Sequence, residues 1–247
     1  MASRLKPLLI MAAGLCIAQT MQAQQHYNAW FRSTLSIPAG EKFRIDAEFQ
    51  HRRQNGLGNS DMLDRNLMFT FRNWVHYQHN RNIKISVSPF AYFSHYRIIQ
   101  QPTDVTANPN SEIRFSVAVD LQHRVFKNLY AVDRAAIEYR VFENPQSDIN
   151  RLRNRFGFRY DFTDRLKSGI YDELFVNVSG AGIAHFYDHN RVMLNMEYSV
   201  LPNLKFDMGY INLSRLPVTS DEKLHEHNIY LNVTFQWKNR KQSPPKD

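Results

Sequence analysis

Alternation is the property that most narrows what this chain can fold into. From Lys42 to Arg52 it reads KFRIDAEFQHR: Phe43, Ile45, Ala47 and Phe49 take every second place, and Arg44, Asp46, Glu48, Gln50 and Arg52 take the places between. Successive side chains of a strand point to opposite faces, so this segment predicts a strand with one apolar and one charged face. The exchange recurs in EIRFSVAVDLQHR, where Ile113, Phe115, Val117, Val119 and Leu121 alternate with Glu112, Arg114, Ser116, Asp120 and Gln122. The pattern also runs through residues 63–77, with Leu67, Phe69, Phe71 and Val75 on one face, and 83–96, with Ile85, Val87, Ala91 and Phe93 on one face. Residues 130–142, 151–162, 166–178, 191–200, 204–212 and 228–237 complete the series, and no amphipathic helix of useful length interrupts it.

The connections alternate as well. HNRN, FKN, TDR and LPN are tight, whereas QNGLGNSD, RIIQQPTDVTANPN, ENPQSDIN, SGAGIAHFYDHN and SRLPVTSDEKLHE are long and rich in turn formers. Strict exchange of short and long loops is the habit of transmembrane barrels, with short turns on the periplasmic side and longer loops outside. A secreted β-sandwich or lipocalin-like barrel is the alternative. Against it stand strands often longer than ten residues, where soluble strands peak at about five or six. Charges at Arg72, Arg114, Asp120, Arg134, Glu138, Arg155 and Glu173 also share the inner parity, which a dry sandwich core would not tolerate. The fold expected is therefore an all-β, antiparallel transmembrane barrel of about ten strands, both ends on the short-turn side. The segment holding Trp30 is surplus to that count: it is either a short arm lying inside, or half of an extra pair in a twelve-stranded barrel.

The first residues place such a barrel. Arg4 and Lys6 precede an apolar run from Leu8 to Ala18, followed by a cleavage signal ending at Ala23. This is the layout of a secretory signal peptide, and the run is well short of the roughly 20 apolar residues of a membrane-crossing helix. The one cysteine, Cys16, lies within it and follows Leu15, where a lipoprotein signal would have a small residue. The expected organisation is a signal peptide at 1–23, a barrel domain at 24–237 and a basic tail at 238–247, with no thiol, disulfide or lipid anchor in the mature chain. Of the formal charge of +8, the tail KNRKQSPPKD holds four basic residues and one acidic. The remaining body is only mildly basic with alternating signs, which argues against nucleic acid as a partner. The expected partners are outer-membrane lipid and the barrel-insertion machinery, with a small solute in addition if the lumen is open.

With Phe43, Ile45, Ala47 and Phe49 toward lipid, the charged parity faces inward. The candidate site is a lumen network of Arg44, Glu48, Arg52, Arg72, Glu112, Arg114, Arg134, Glu138, Arg140, Arg153, Arg155, Glu173, Arg191 and Glu197. Planar guanidinium pairs with carboxylate in a fork, so these residues are read first as ion pairs that fill and stiffen a largely closed barrel. The second reading is a narrow pore or solute-binding lumen with charge selectivity. Asp172 falls on the lipid parity and Trp74 on the lumen parity, and a bulge would move either by one place. A third reading is a hydrolase or lipid-modifying site at the external rim, where His51, His95, His185, His189, His225 and His227 gather with Asp188, Asp221, Glu222 and Glu226. Two histidines in HEH share a strand face but fall far short of a zinc site, and no serine elbow, phosphate loop or HExxH occurs. No catalytic residue, metal or cofactor is expected from these motifs.

Several short pieces, in order, resemble a known family. They are Trp30 ahead of KFRIDAEFQHR with Glu48 and Arg52, EIR at Glu112 and Arg114, and RAAIEYR with Arg134, Glu138 and Arg140. RLRNRFGFRY with Arg153 and Arg155, DELFVN with Glu173 and Asn177, HNR with Asn190 and Arg191, and MGY with Gly209 and Tyr210 follow. Together they are similar to the family catalogued as domain of unknown function 2490. The resemblance covers nearly all of the chain after residue 23, and it implies an outer-membrane β-barrel of a Gram-negative bacterium with no assigned activity. The basic tail beyond Trp237 departs from the habit of such barrels to end on an aromatic residue.

Overall fold

The computed structural model describes residues 25–143, 148–216 and 223–237. The segment read as a signal peptide, the basic tail, Asp221 and Glu222 lie outside them. Eleven strands follow one another: β1 (Gln25–Pro38), β2 (Phe43–Gln54), β3 (Arg65–Gln78), β4 (Ile83–His95), β5 (Asn110–Phe126) and β6 (Leu129–Phe142). The series continues with β7 (Ile149–Asp161), β8 (Leu166–Ser179), β9 (Tyr187–Leu201), β10 (Leu204–Arg215) and β11 (Leu224–Gln236). Each pairs with its chain neighbours, and β1 meets β11 to close the ring. Full closure leaves no unpaired strand edge, the condition for a sheet that stands in lipid. No helix among the described residues is long and apolar enough to cross a membrane.

The alternation does what it predicts. Phe43, Ile45 and Phe49 are 48%, 42% and 50% exposed on the outer wall, while Asp46 between them is buried at 7%. Connections at 39–42, 79–82, 127–128, 162–165 and 202–203 form the short-turn rim, and those at 55–64, 96–109 and 180–186 the opposite one, where β6 and β10 also end and β7 and β11 begin.

The strand count is eleven, not ten. The surplus segment is a wall strand: β1 runs antiparallel to β2 through Asn28↔Gln54 to Pro38↔Arg44 and parallel to β11 through Gln25↔His225 to Ser36↔Gln236. It is neither an inner arm nor half of a pair. Because β1 ends at a short turn, it starts at the long-loop rim, so the two ends of the wall lie at opposite rims rather than together. Its polar inner residues secure the parallel seam. The Asn28 amide donates to Glu226 Oε2 at 2.9 Å and to Asn228 Oδ1 at 2.8 Å, all three side chains being buried. Beside them Trp30, Ile211, Leu213 and Tyr230 pack as an apolar cluster against Met193. Gly209 makes room for it, since a Cβ there would strike both the β9 backbone and the Tyr230 ring.

Two irregularities decide which side chains face inward. In β4 the register shifts between Ser88 and Ala91. Ile85 and Val87 consequently face out, as expected, whereas Ala91 and Phe93, expected beside them, are buried on the inner side at 0% and 3%. At the start of β9, Phe175 pairs with His189 and Val176 with Tyr187, which leaves Asp188 as an extra residue that turns inward. The two residues that resisted the alternation need no bulge. Trp74 is buried inside, with the Arg72 and Arg134 guanidiniums 5.3 and 5.1 Å from its ring centroid. Asp172 does face outward, where it accepts a hydrogen bond from Asn190 at 2.6 Å.

Candidate functional site

Glu112, Glu138 and Glu173 sit on the inner parity of β5, β6 and β8, each 1% exposed. A carboxylate so buried must be paired. Glu112 receives Arg114 Nε at 2.7 Å and both Nε and Nη2 of Arg140 at 2.9 Å, the fork expected of guanidinium. His95 Nε2 lies 2.9 Å from its other oxygen. Glu138 takes Arg151 Nε at 3.0 Å, Arg114 Nη1 at 3.4 Å and Arg153 Nη1 at 3.6 Å. Glu173 takes Arg153 Nε at 2.6 Å and Arg191 Nη1 at 3.5 Å, and Arg151 reaches on to Asp188 at 2.7 Å. These bonds follow the wall from β4 to β9, most of them between neighbouring strands, with Arg151 of β7 reaching past β8 to Asp188 of β9. They do not cross the lumen.

Aromatic rings support the same arginines from their faces. The Arg52 guanidinium lies 3.6 Å from the Trp30 ring centroid, and Arg114 lies 3.9 Å from that of Phe93. Phe175 has Arg191, Arg151 and Arg153 at 4.5, 5.0 and 5.1 Å, with His189 stacked on it at 3.9 Å. A ring under a guanidinium holds the charge while the in-plane N–H groups stay free for another partner.

Inside the wall is a cavity of about 670 Å³. Its lining includes thirteen Arg and Lys side chains and five Asp and Glu, because Glu112, Glu138 and Glu226 withdraw behind their arginines. Arg52, Arg72 and Arg155 line this space with no carboxylate within ion-pair distance among the described residues. The Nε of Arg52 and that of Arg72 are buried without a hydrogen-bond acceptor. A second cavity of about 540 Å³ near the short-turn rim is lined by Arg81, Lys84, Asp120, Arg155 and Arg159 among others.

The model of the family described as a protein of unknown function, DUF2490, matches residues 27–223. This chain belongs to that family. The DUF2490 barrel is similar in fold to the NanC porin solved in a rhombohedral crystal form, at 12% identity and a TM-score of 0.52, over 86% of this chain and 99% of that one. An outer-membrane protein of Vibrio cholerae, OmpT, matches at 12% identity and a TM-score of 0.36, over 75% of this chain and 56% of that one. No curated protein matches the chain.

The DUF2490 barrel brings seven of the expected lumen residues into one network: Glu112, Arg114, Glu138, Arg140, Arg153, Glu173 and Arg191. Four others face inward but pair elsewhere: Arg44 with Asp46 at 3.0 Å, Glu48 with Arg32 at 3.8 Å, Arg134 with Asp120 at 2.6 Å and Glu197 with Lys205 at 2.9 Å, while Arg52, Arg72 and Arg155 are the three that face the cavity without a carboxylate among the described residues. Sequence reasoning missed Arg151, though it shares the parity of Arg153, and Arg215, which holds Glu226 at 2.9 Å. It also missed His26, buried at the seam with neither ring nitrogen bonded.

The histidines do not converge. His51 stacks on Phe69 at 4.3 Å and His227 on Tyr27 at 5.4 Å, both on the outer wall, and His225 shares the parity of His227. His185 lies in the loop before β9, while His95 and His189 face inward from β4 and β9. Among the described residues no group of three or more His, Cys, Asp or Glu is placed to hold a metal ion.

Proposed function

We propose that this DUF2490 barrel lies in the bacterial outer membrane, its apolar wall against lipid, as a narrow pore whose lumen selects small anionic solutes. The carrying observation is the set of cavity-facing guanidiniums, Arg52, Arg72 and Arg155, without carboxylates among the described residues. Eight strands give a filled barrel and about sixteen a wide channel, so eleven strands leave a space that fits small solutes only.

The wall network makes this lumen work. Buried Glu112 and Glu138 fix the arginine ladder but are screened from the cavity, so an entering solute meets mostly N–H donors. A carboxylate or phosphate forms charge-assisted bonds with these donors, whereas a cation meets like charge. Guanidiniums on β2, β3, β7 and β9 offer successive weak positions instead of one deep well, which lets the anion leave as well as enter.

Planar-bilayer recording of the purified barrel in a potassium chloride gradient tests this. Small conductance with chloride preferred is expected, and Arg52→Gln, Arg72→Gln and Arg155→Gln should each weaken that preference. Cation-selective current, or none, would overturn the reading.

A further inference from the structure

The outer wall is largely apolar, and one sector of it carries two carboxylates beside two amides. Asp133 on β6, Asn154 on β7, Asp172 on β8 and Asn190 on β9 all lie on the outward parity of their strands. Asp172 is the seventh of the fourteen residues of β8, so this sector includes the middle of the wall. The four side chains form two exposed pairs: the Asn154 amide donates to Asp133 Oδ1 at 2.8 Å, and the Asn190 amide to Asp172 Oδ1 at 2.6 Å. Asp133 and Asp172 are both in register with Phe156 of β7, which makes the sector one patch. Each pair still has a carboxylate oxygen and an amide N–H with no partner among the described residues. Facing acyl chains, those groups would stay unsatisfied, since hydrocarbon supplies no hydrogen bonds.

The same sector holds a depression and a projection. Ala135, short among Val117, Ile137, Leu152 and Leu174, leaves an outer groove of about 450 Å³. Phe156 stands out from the wall beside it, 49% exposed, with Phe158 edge-on at 5.6 Å.

We infer that this face, from β6 to β9, is covered by a second copy of the same chain. A two-fold contact sets one patch against itself, so the patch must carry both halves of every interaction. This one does: free amide donors with free carboxylate acceptors, and an aromatic projection with a groove. Across the two-fold axis the amides of one copy complete the carboxylates of the other, and the Phe156 ring of each fills the Ala135 groove of its partner. The inference rests on the membrane placement proposed above and is independent of anion selectivity.

Cysteine cross-linking in native outer membranes tests it, in a Cys16→Ser background that leaves no other thiol. Ala135→Cys should give a covalent dimer on mild oxidation, while Ala47→Cys, outward on β2 at the far side of the ring, should remain monomeric. Asp172→Leu together with Asn190→Leu should shift the detergent-corrected mass from dimer to monomer while heat-modifiable folding persists. Equal cross-linking at both positions, linkage of Ala135→Cys to a different protein, or a monomeric wild type with no cross-link would overturn the second-copy assignment. Recovery of the chain as a soluble protein would instead refute the membrane placement.

Discussion

Glu138 shows what a single side chain does in this wall. It is 1% exposed and touches Arg114, Arg151 and Arg153, so its removal leaves three guanidiniums facing one another in a partly dehydrated space. Breaking a buried pair from one side costs about 3–5 kcal/mol. Glu138→Ala is therefore expected to lower the midpoint of heat modification on electrophoresis, and a second change, Arg114→Leu, to restore part of the loss. Arg72 should behave in the opposite way. With no carboxylate partner among the described residues and a buried Nε lacking an acceptor, it adds little to folding. Arg72→Gln is expected to leave the unfolding midpoint near or above wild type while reducing chloride preference. If Glu138→Ala changed selectivity and spared stability, the division of labour between paired and free charges would be wrong.

At the scale of the element, the seam between β1 and β11 stands apart because it is the parallel pair in an otherwise antiparallel ring. Parallel pairing is slightly weaker per residue, which gives the inner side chains of β1 more to do. Trp30, 4% exposed, packs in the lumen cluster and carries Arg52 on its face. Trp30→Ala is expected to cost about 3–5 kcal/mol as a buried aromatic, read as a lowered unfolding midpoint in detergent. The outer face obeys another rule. Val117, 45% exposed on β5, borders lipid in the proposed placement. Val117→Lys should cost about 2–4 kcal/mol near the midplane, seen as poor insertion, and would be mild if that face met water.

For the whole molecule, the arrangement of loops fixes an orientation. The short turns lie at one rim, and the long connections 55–64, 96–109 and 180–186 at the other. In the outer membrane the long connections should face outward. A protease site inserted within 55–64 or 96–109 should then be cut on intact cells, and one in turn 39–42 only after the cells are broken. The reverse pattern would invert the orientation, and with it the side from which a solute meets the arginine ladder.

The two faces of the wall were legible from the residues alone, because side-chain direction in a strand is a local consequence of backbone geometry with a period of two. Alternation thereby set Arg44, Glu48, Arg114, Glu138, Glu173 and even Trp74 on the inner face and Asp172 on the outer one, the last two being right where they looked wrong. It failed where one residue is added, since a bulge in β4 reverses the later parity and so sends Ala91 and Phe93 inward, and another turns Asp188 toward Arg151. Which charges meet was settled in folding, because partners are chosen by register between strands far apart in the chain. Arg151 and Asp188 are thirty-seven positions apart and Asn28 and Asn228 two hundred. Ring closure is likewise non-local. Nothing in the alternation of residues 25–38 distinguishes an inner arm from an eleventh strand until β11 offers its edge.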